Sequence, residues 1–135
     1  MPLEIINPES LGRPRGYSNG VLAPPGARLL FVAGQIGWDE RQKLVSDDFV
    51  EQFERALLNV LAVVRMAGGE PDTLARLVVY VTDKREYGER TTEVGTRWRA
   101  LMGRHFPAMA LVEVKSLLED GAKVEIEAIA VISSQ

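Results

Sequence analysis

The chain has 135 residues, enough for one ordinary domain with a real core, and 46% hydrophobic against 26% charged residues is a globular composition. It has no cysteine and one histidine, His105, which excludes disulfides, thiolate metal sites, cysteine nucleophiles and a two-histidine metal site within one chain. Sixteen Lys+Arg against nineteen Asp+Glu leave a net charge of −3, which argues against a broad phosphate-binding face for nucleic acid. Met1 to Ser10 carries no basic stretch followed by an apolar core, so no signal peptide is expected. No apolar run approaches the roughly 20 residues of a membrane span. A cytoplasmic location is the default expectation. Pro2 would offer an N-terminal proline amine if Met1 were removed, but nothing else in the chain supports that use.

Arg13 and Arg15 flank Pro14 just before Tyr17, in a Gly/Pro-containing loop of the kind that carries anion-binding residues. Leu29 to Ile36 is an apolar run of strand length, preceded by the turn signal Ala23-Pro24-Pro25-Gly26. Val21-Leu22 before that turn is a candidate hairpin partner. Trp38 to Lys43 reads as a polar connection.

Asp47 to Ala67 gives the clearest helix pattern. Phe49, Phe53, Ala56, Leu57, Val60, Leu61 and Val64 form one stripe at helical period. Asp48 and Glu51 have capping-box spacing, and Gly68-Gly69 is a natural stop. Leu77 to Thr82 is rich in strand formers. A second helix is expected from about Arg85 to Met102, with Tyr87, Thr91, Val94, Trp98, Leu101 and Met102 as its stripe. Gly88 and Gly95 weaken it by about 1 kcal/mol each, so it depends on packing. Arg97 and Arg99, two apart, do not share a helix face, and solvated positions account for both. His105 follows the stop at Gly103; an exposed or capping role explains it more simply than a catalytic one.

Ala108 to Val114 and Lys123 to Ile132 alternate as strands, with Leu118 to Gly121 as the turn between them. The expected order is β(β)αβαββ in a single α+β domain over 1–135, a mixed sheet with two helices on one face. The other face is too apolar to be left in water, which predicts self-association through it. Glu113, Glu125 and Glu127 fall on the alternation with Met109 and Leu111, and a carboxylate beside apolar neighbours suits general acid/base work. Ala33-Gly34-Gln35 and Gly68-Gly69 match no Walker or dinucleotide loop. On residue chemistry alone, the chain is an oligomeric domain with a candidate glutamate.

Phe31-Val-Ala-Gly-Gln-Ile36, Ala67-Gly-Gly69, Val79-Tyr-Val-Thr-Asp83, Phe106-Pro-Ala108, Val112-Glu-Val114 and Val124-Glu-Ile-Glu-Ala-Ile-Ala130 occur in an order and spacing that resembles the RidA/YjgF reactive-intermediate deaminase family, also called endoribonuclease L-PSP. The resemblance runs from about Tyr17 to Val131. It implies a chorismate-mutase-like fold and a homotrimer whose sheets line an inner β-barrel, with small-molecule clefts between subunits. It also implies hydrolysis of imines or enamines, such as 2-aminoacrylate, to keto acids and ammonia without metal or cofactor. No nucleic-acid or membrane partner is expected. Tyr17 matches the family's loop tyrosine, Gly34 its strand glycine and Glu125 its water-handling glutamate. Ala33 stands where the family has serine, Met109 where it has the carboxylate-binding arginine, and Leu111 where a cysteine is common. Methionine cannot pair a carboxylate, so 2-imino acid turnover is doubtful on this reading. Either Arg13, Arg15 or another cation holds a differently placed anion, or the cleft takes a less polar ligand. Binding without turnover is the alternative role.

Overall fold

The helix with the strongest sequence pattern anchors the architecture seen in a computed structural model, which describes residues 3–134. In chain order the elements are β1 (Glu4–Ile6), β2 (Gly20–Leu22), β3 (Arg28–Ile36), α1 (Phe49–Met66), β4 (Leu74–Val81), α2 (Lys84–Glu89), α3 (Thr91–Met102), β5 (Ala108–Glu113) and β6 (Val124–Ile132). The Asp48 side chain accepts from the Glu51 backbone N–H and caps α1. The helix then buries Phe49, Phe53, Leu57, Leu61 and Val64 along one stripe.

A four-stranded mixed sheet in the order β3-β6-β4-β5 lies against that stripe. β6 runs antiparallel to both β3 and β4, while β5 is parallel to β4. The last two strands are therefore not a hairpin. β4 separates them, and the segment around Leu118 to Gly121 crosses the sheet end instead of turning tightly between partners. A second expectation also changes: β2 pairs with β1, in the register Glu4↔Leu22, rather than with β3.

The expected second helix is two helices. Asp83 accepts from the Arg85 and Glu86 backbone N–H groups and starts α2, and the chain breaks at Arg90, at φ −118° and ψ 17°. The break lets the Arg90 guanidinium reach Asp48 on α1 at 2.9 Å and Glu93 at 2.6 Å. Pairing with Asp48 and Glu93 raises the Arg90 pKa, and Arg90 in turn lowers those of both carboxyls. The expected second helix is thus divided into α2 and α3, and Val94, Trp98 and Met102 of α3 join the core.

Strand register decides which side chains share a face, because a shift of one residue moves a side chain to the other side. Leu77, Val79 and Val81 of β4 are buried under the helices, and they pair with Met109, Leu111 and Glu113 of β5. On β6 the buried set is Val124, Ile126, Ala128 and Ala130, so Glu125 and Glu127 point to the other face. The expectation that Met109 and Leu111 share a face with Glu125 and Glu127 is overturned. Glu113 stays with the helix side, where its Oε1 accepts from the Lys84 backbone N–H at 2.9 Å and helps start α2.

The face away from the helices carries Leu29 and Phe31 at 58% and 70% exposure. Register sets Phe31 opposite Ile129, and Val112 on β5 is exposed as well. No helix of the described residues is long and apolar enough to cross a membrane.

Candidate functional site

The candidate residues separate into two places on one chain. The first lies where β3 and β6 meet. Their ladder shifts register between Val32 and Gln35, a bulge that falls on Ala33 and Gly34. A side chain at Gly34 would collide with Glu125: an added Cβ would lie 2.7 Å from the Glu125 Cδ and closer still to Oε2. The missing side chain is thus what lets the Glu125 carboxylate lie across the strand. Gly34, Ile36, Trp38, Leu118, Glu119 and Glu125 line a hollow of about 190 Å³ there. Glu125 is half-buried and makes no hydrogen bond or ion pair to another described residue. Its neighbour Glu127 is already engaged, accepting from the Tyr80 hydroxyl, which raises the tyrosine pKa. Of the two glutamates on this face, Glu125 is the one available for chemistry.

Two amides of α1 hold this end in place. Gln52, fully buried, donates from Nε2 to Ser46 O (2.9 Å) and Gly121 O (3.1 Å), and its Oε1 accepts from Lys123 N (2.8 Å). Those bonds set the entry to β6 two residues before Glu125. Asn59 donates to Ile36 O and Trp38 O, at 3.0 and 2.9 Å, and sets the exit of β3. Gly37 completes the approach, since a Cβ there would lie 2.6 Å from the Gln52 backbone. The sequence reading did not single out Gln52 or Asn59. The signal was present: Gln52 lies on the apolar stripe beside Phe49 and Phe53, where a polar residue must find partners.

The second place is the loop carrying Tyr17 and the start of β5. Ser18 ties them together: its N–H donates to Pro107 O at 3.0 Å, its hydroxyl to Phe106 O at 2.5 Å, and it forms a parallel bridge with Ala108. Beneath the loop, a pocket of about 330 Å³ is lined by Phe53, Val79, Val94, Trp98, Met109 and Leu111, with Gly16, Tyr87 and Arg99 also contributing. Phe106 stacks on Trp98 at 6.1 Å between ring centroids and 8° between planes. Burial raises the Tyr87 pKa, so its hydroxyl keeps its proton. Met109 and Leu111 also pack against the core, giving this pocket an apolar floor. Tyr17, 39% exposed, lines an adjoining hollow of about 410 Å³ with Arg13, Arg104 and His105.

Arg13 therefore lines this adjoining hollow, and Arg15 lines neither it nor the pocket. Arg97 pairs with Glu54 at 2.7 Å. His105 bonds through Nε2 to Leu74 O at 2.6 Å. Pro2 lies outside the described residues. No group of three or more metal-ligating side chains occurs among the described residues.

Residues 9–132 match the family described as Endoribonuclease L-PSP. A RutC family protein of Pyrococcus abyssi is 33% identical over 132 residues, covering 96% of this chain and 98% of its own. A protein of Capra hircus named 2-iminobutanoate/2-iminopropanoate deaminase is 31% identical over 116 residues, 85% of this chain and 79% of its own. The crystal structure of YyfB from Yersinia pestis, a Rid-family protein described as of unknown function, superposes with a TM-score of 0.85 at 29% identity. That likeness covers 98% of this chain and all of that one.

Proposed function

The chain belongs to the endoribonuclease L-PSP (RidA/YjgF) family, and from that premise we propose that it works as a homotrimer of one domain spanning 1–135, binding a small metabolite with a largely apolar body between subunits. In this reading Glu125 handles water for hydrolysis of an imine or enamine. The observation that carries it is the division of the site: Gly34 and Glu125 line one hollow, and Met109 and Leu111 line another on the opposite face of the sheet. Neither hollow is a complete hydrolytic site. In a ring each contact is head to tail, so the Leu29–Phe31 face of one copy would be covered by a different surface of its neighbour, and in this reading that surface carries the neighbour's pocket to the glutamate.

The chemistry needs little else. Water must approach the imine carbon while a base removes its proton, and a carboxylate with no competing partner can do so. Addition gives a carbinolamine, and expulsion of ammonia with return of the proton leaves the carbonyl product. An enamine first takes a proton at carbon to become the imine. The apolar floor at Met109 and Leu111 favours substrates with aromatic or branched side chains over 2-aminoacrylate. Relatives named as imine deaminases make this reaction class the natural one.

Mixing two inactive variants tests the reading. Glu125→Ala spoils one half of the site, and Leu111→Trp fills the other. Co-refolded in equal amounts, they should regain about a quarter of wild-type turnover on an aromatic enamine if each site draws on two copies of a ring. Recovery of nothing, or a stable monomer in sedimentation at micromolar concentration, refutes the shared site. In the same assay Met109→Arg should gain turnover of 2-aminoacrylate.

A further inference from the structure

The hollow beside Tyr17 carries a charge opposite to that of the protein as a whole. Arg13 and Arg104 line it together with His105, and no Asp or Glu does. One arginine comes from the N-terminal loop and the other from the turn after α3, so only the fold brings them to one hollow. Other arginines of this acidic chain are ion-paired, Arg90 with Asp48 and Glu93, and Arg97 with Glu54. Arg13 and Arg104 have no such ion pair among the described residues. Two like charges gathered in one hollow repel each other, and an anion between them would turn that repulsion into attraction. The bond from its Nε2–H to Leu74 O holds the His105 ring at this hollow.

This charged hollow adjoins the apolar pocket, since Gly16 and Phe106 line both. We propose that the two together hold an amphipathic oxyanion. Its aryl or branched body lies against Met109, Leu111 and Trp98, and its carboxylate or phosphate is held by Arg13 and Arg104 beside Tyr17. Guanidinium groups suit either anion through paired N–H donors. The anion is thereby anchored from the N-terminal loop and the α3 turn, outside the strand where Met109 stands. The proposal deepens the cleft reading above, and its body half rests on that reading; its anionic half does not depend on Glu125.

Calorimetric titration of the full-length protein with phenylpyruvate, its methyl ester, phenyl phosphate and inorganic phosphate tests it. At least one of the two aryl anions should bind about tenfold or more tighter than the ester and than inorganic phosphate. Which of the two binds better tells carboxylate from phosphate. The gain over the ester should vanish in Arg13→Gln/Arg104→Gln and persist in Arg41→Gln, an exposed arginine outside both hollows. Should the double variant misfold by circular dichroism, the two single variants are read the same way, each losing part of the gain. Glu125→Gln should bind the aryl anion as wild type does, and full turnover surviving in that variant would count against the hydrolytic reading and not against this one. Equal binding of acid and ester overturns the anionic half. A preference that survives loss of both arginines does the same. Equal binding of phenyl phosphate and inorganic phosphate, with phenylpyruvate no better than its ester, overturns the joint site.

Discussion

The two ends of the site are built by different means. At Gly34 and Glu125 the geometry is held through backbone groups: a bulge, a close glycine approach, and two amides of α1, Gln52 buried and Asn59 half-buried, bonded to carbonyl and N–H groups at the exit of β3 and the entry to β6. At Tyr17 and Met109 it is held by side chains around a pocket, with Ser18 as the stitch. This end admits few substitutions, because a Cβ at Gly37 would meet the Gln52 backbone and one at Gly34 would displace the Glu125 carboxylate. A pocket lined by side chains can exchange one for another and keep its fold. The resemblance to the family follows that division only in part: Gly34 and Glu125 keep the expected residues but Ala33 does not, and Met109 and Leu111 depart from them while Tyr17 does not.

The largest expected effect separates the ends by function. Glu125→Gln keeps the shape and removes the base, so turnover of an aromatic enamine should fall by about 10²–10⁴, with ligand affinity at the Met109 pocket unchanged within error. A parallel fall in affinity would mean that Glu125 binds and does not handle water, and the division between the ends would collapse.

Stability should separate them too. Gln52→Ala leaves Ser46 O, Gly121 O and Lys123 N without their partner in a buried site, a loss of about 3 kcal/mol. Ser18→Ala removes one bond to Phe106 O and should cost about 1 kcal/mol. Urea unfolding measures both. If Ser18→Ala proves the more damaging, the loop end is the rigid one and the comparison is inverted.

Much of this was legible in the sequence, and the exceptions share a cause. The α1 stripe, its Asp48 cap and the β3, β4, β5 and β6 runs follow from local periodicity, and the structure has them within a few residues. Alternation also separates the two faces of each strand. It cannot say which face of β5 matches which face of β6, because that depends on the strand placed between them. With β4 there, Met109 and Glu125 come out on opposite sides. The break at Arg90 was hidden for a similar reason. Its partner Asp48 is distant in sequence, so no local pattern announces the pair. No pattern in the sequence singles out Arg104, and only the fold brings it to the hollow that Arg13 lines.

The smallest expected effect concerns acid. Arg90 ties the start of α3 to the cap of α1, and it lowers the Asp48 and Glu93 pKa values below their ordinary 3.8 and 4.5. Since the folded values are depressed, the unfolded chain takes up these protons first. The stabilisation is complete above the ordinary values and is lost as pH falls through the folded ones, within about pH 5 to 2. Gln52 and Asn59, which hold the Glu125 end, are neutral amides and do not titrate. Acid should therefore loosen α3, the helix carrying Val94 and Trp98 in the pocket wall, ahead of the β3–β6 junction. Amide hydrogen exchange at pH 4 and pH 3 should show protection falling first in Thr91–Met102. Arg90→Gln should flatten that difference, because both carboxyls then titrate near their ordinary values in either state. Equal loss of protection at the two ends would mean that the Arg90 pairs contribute nothing to holding the pocket wall.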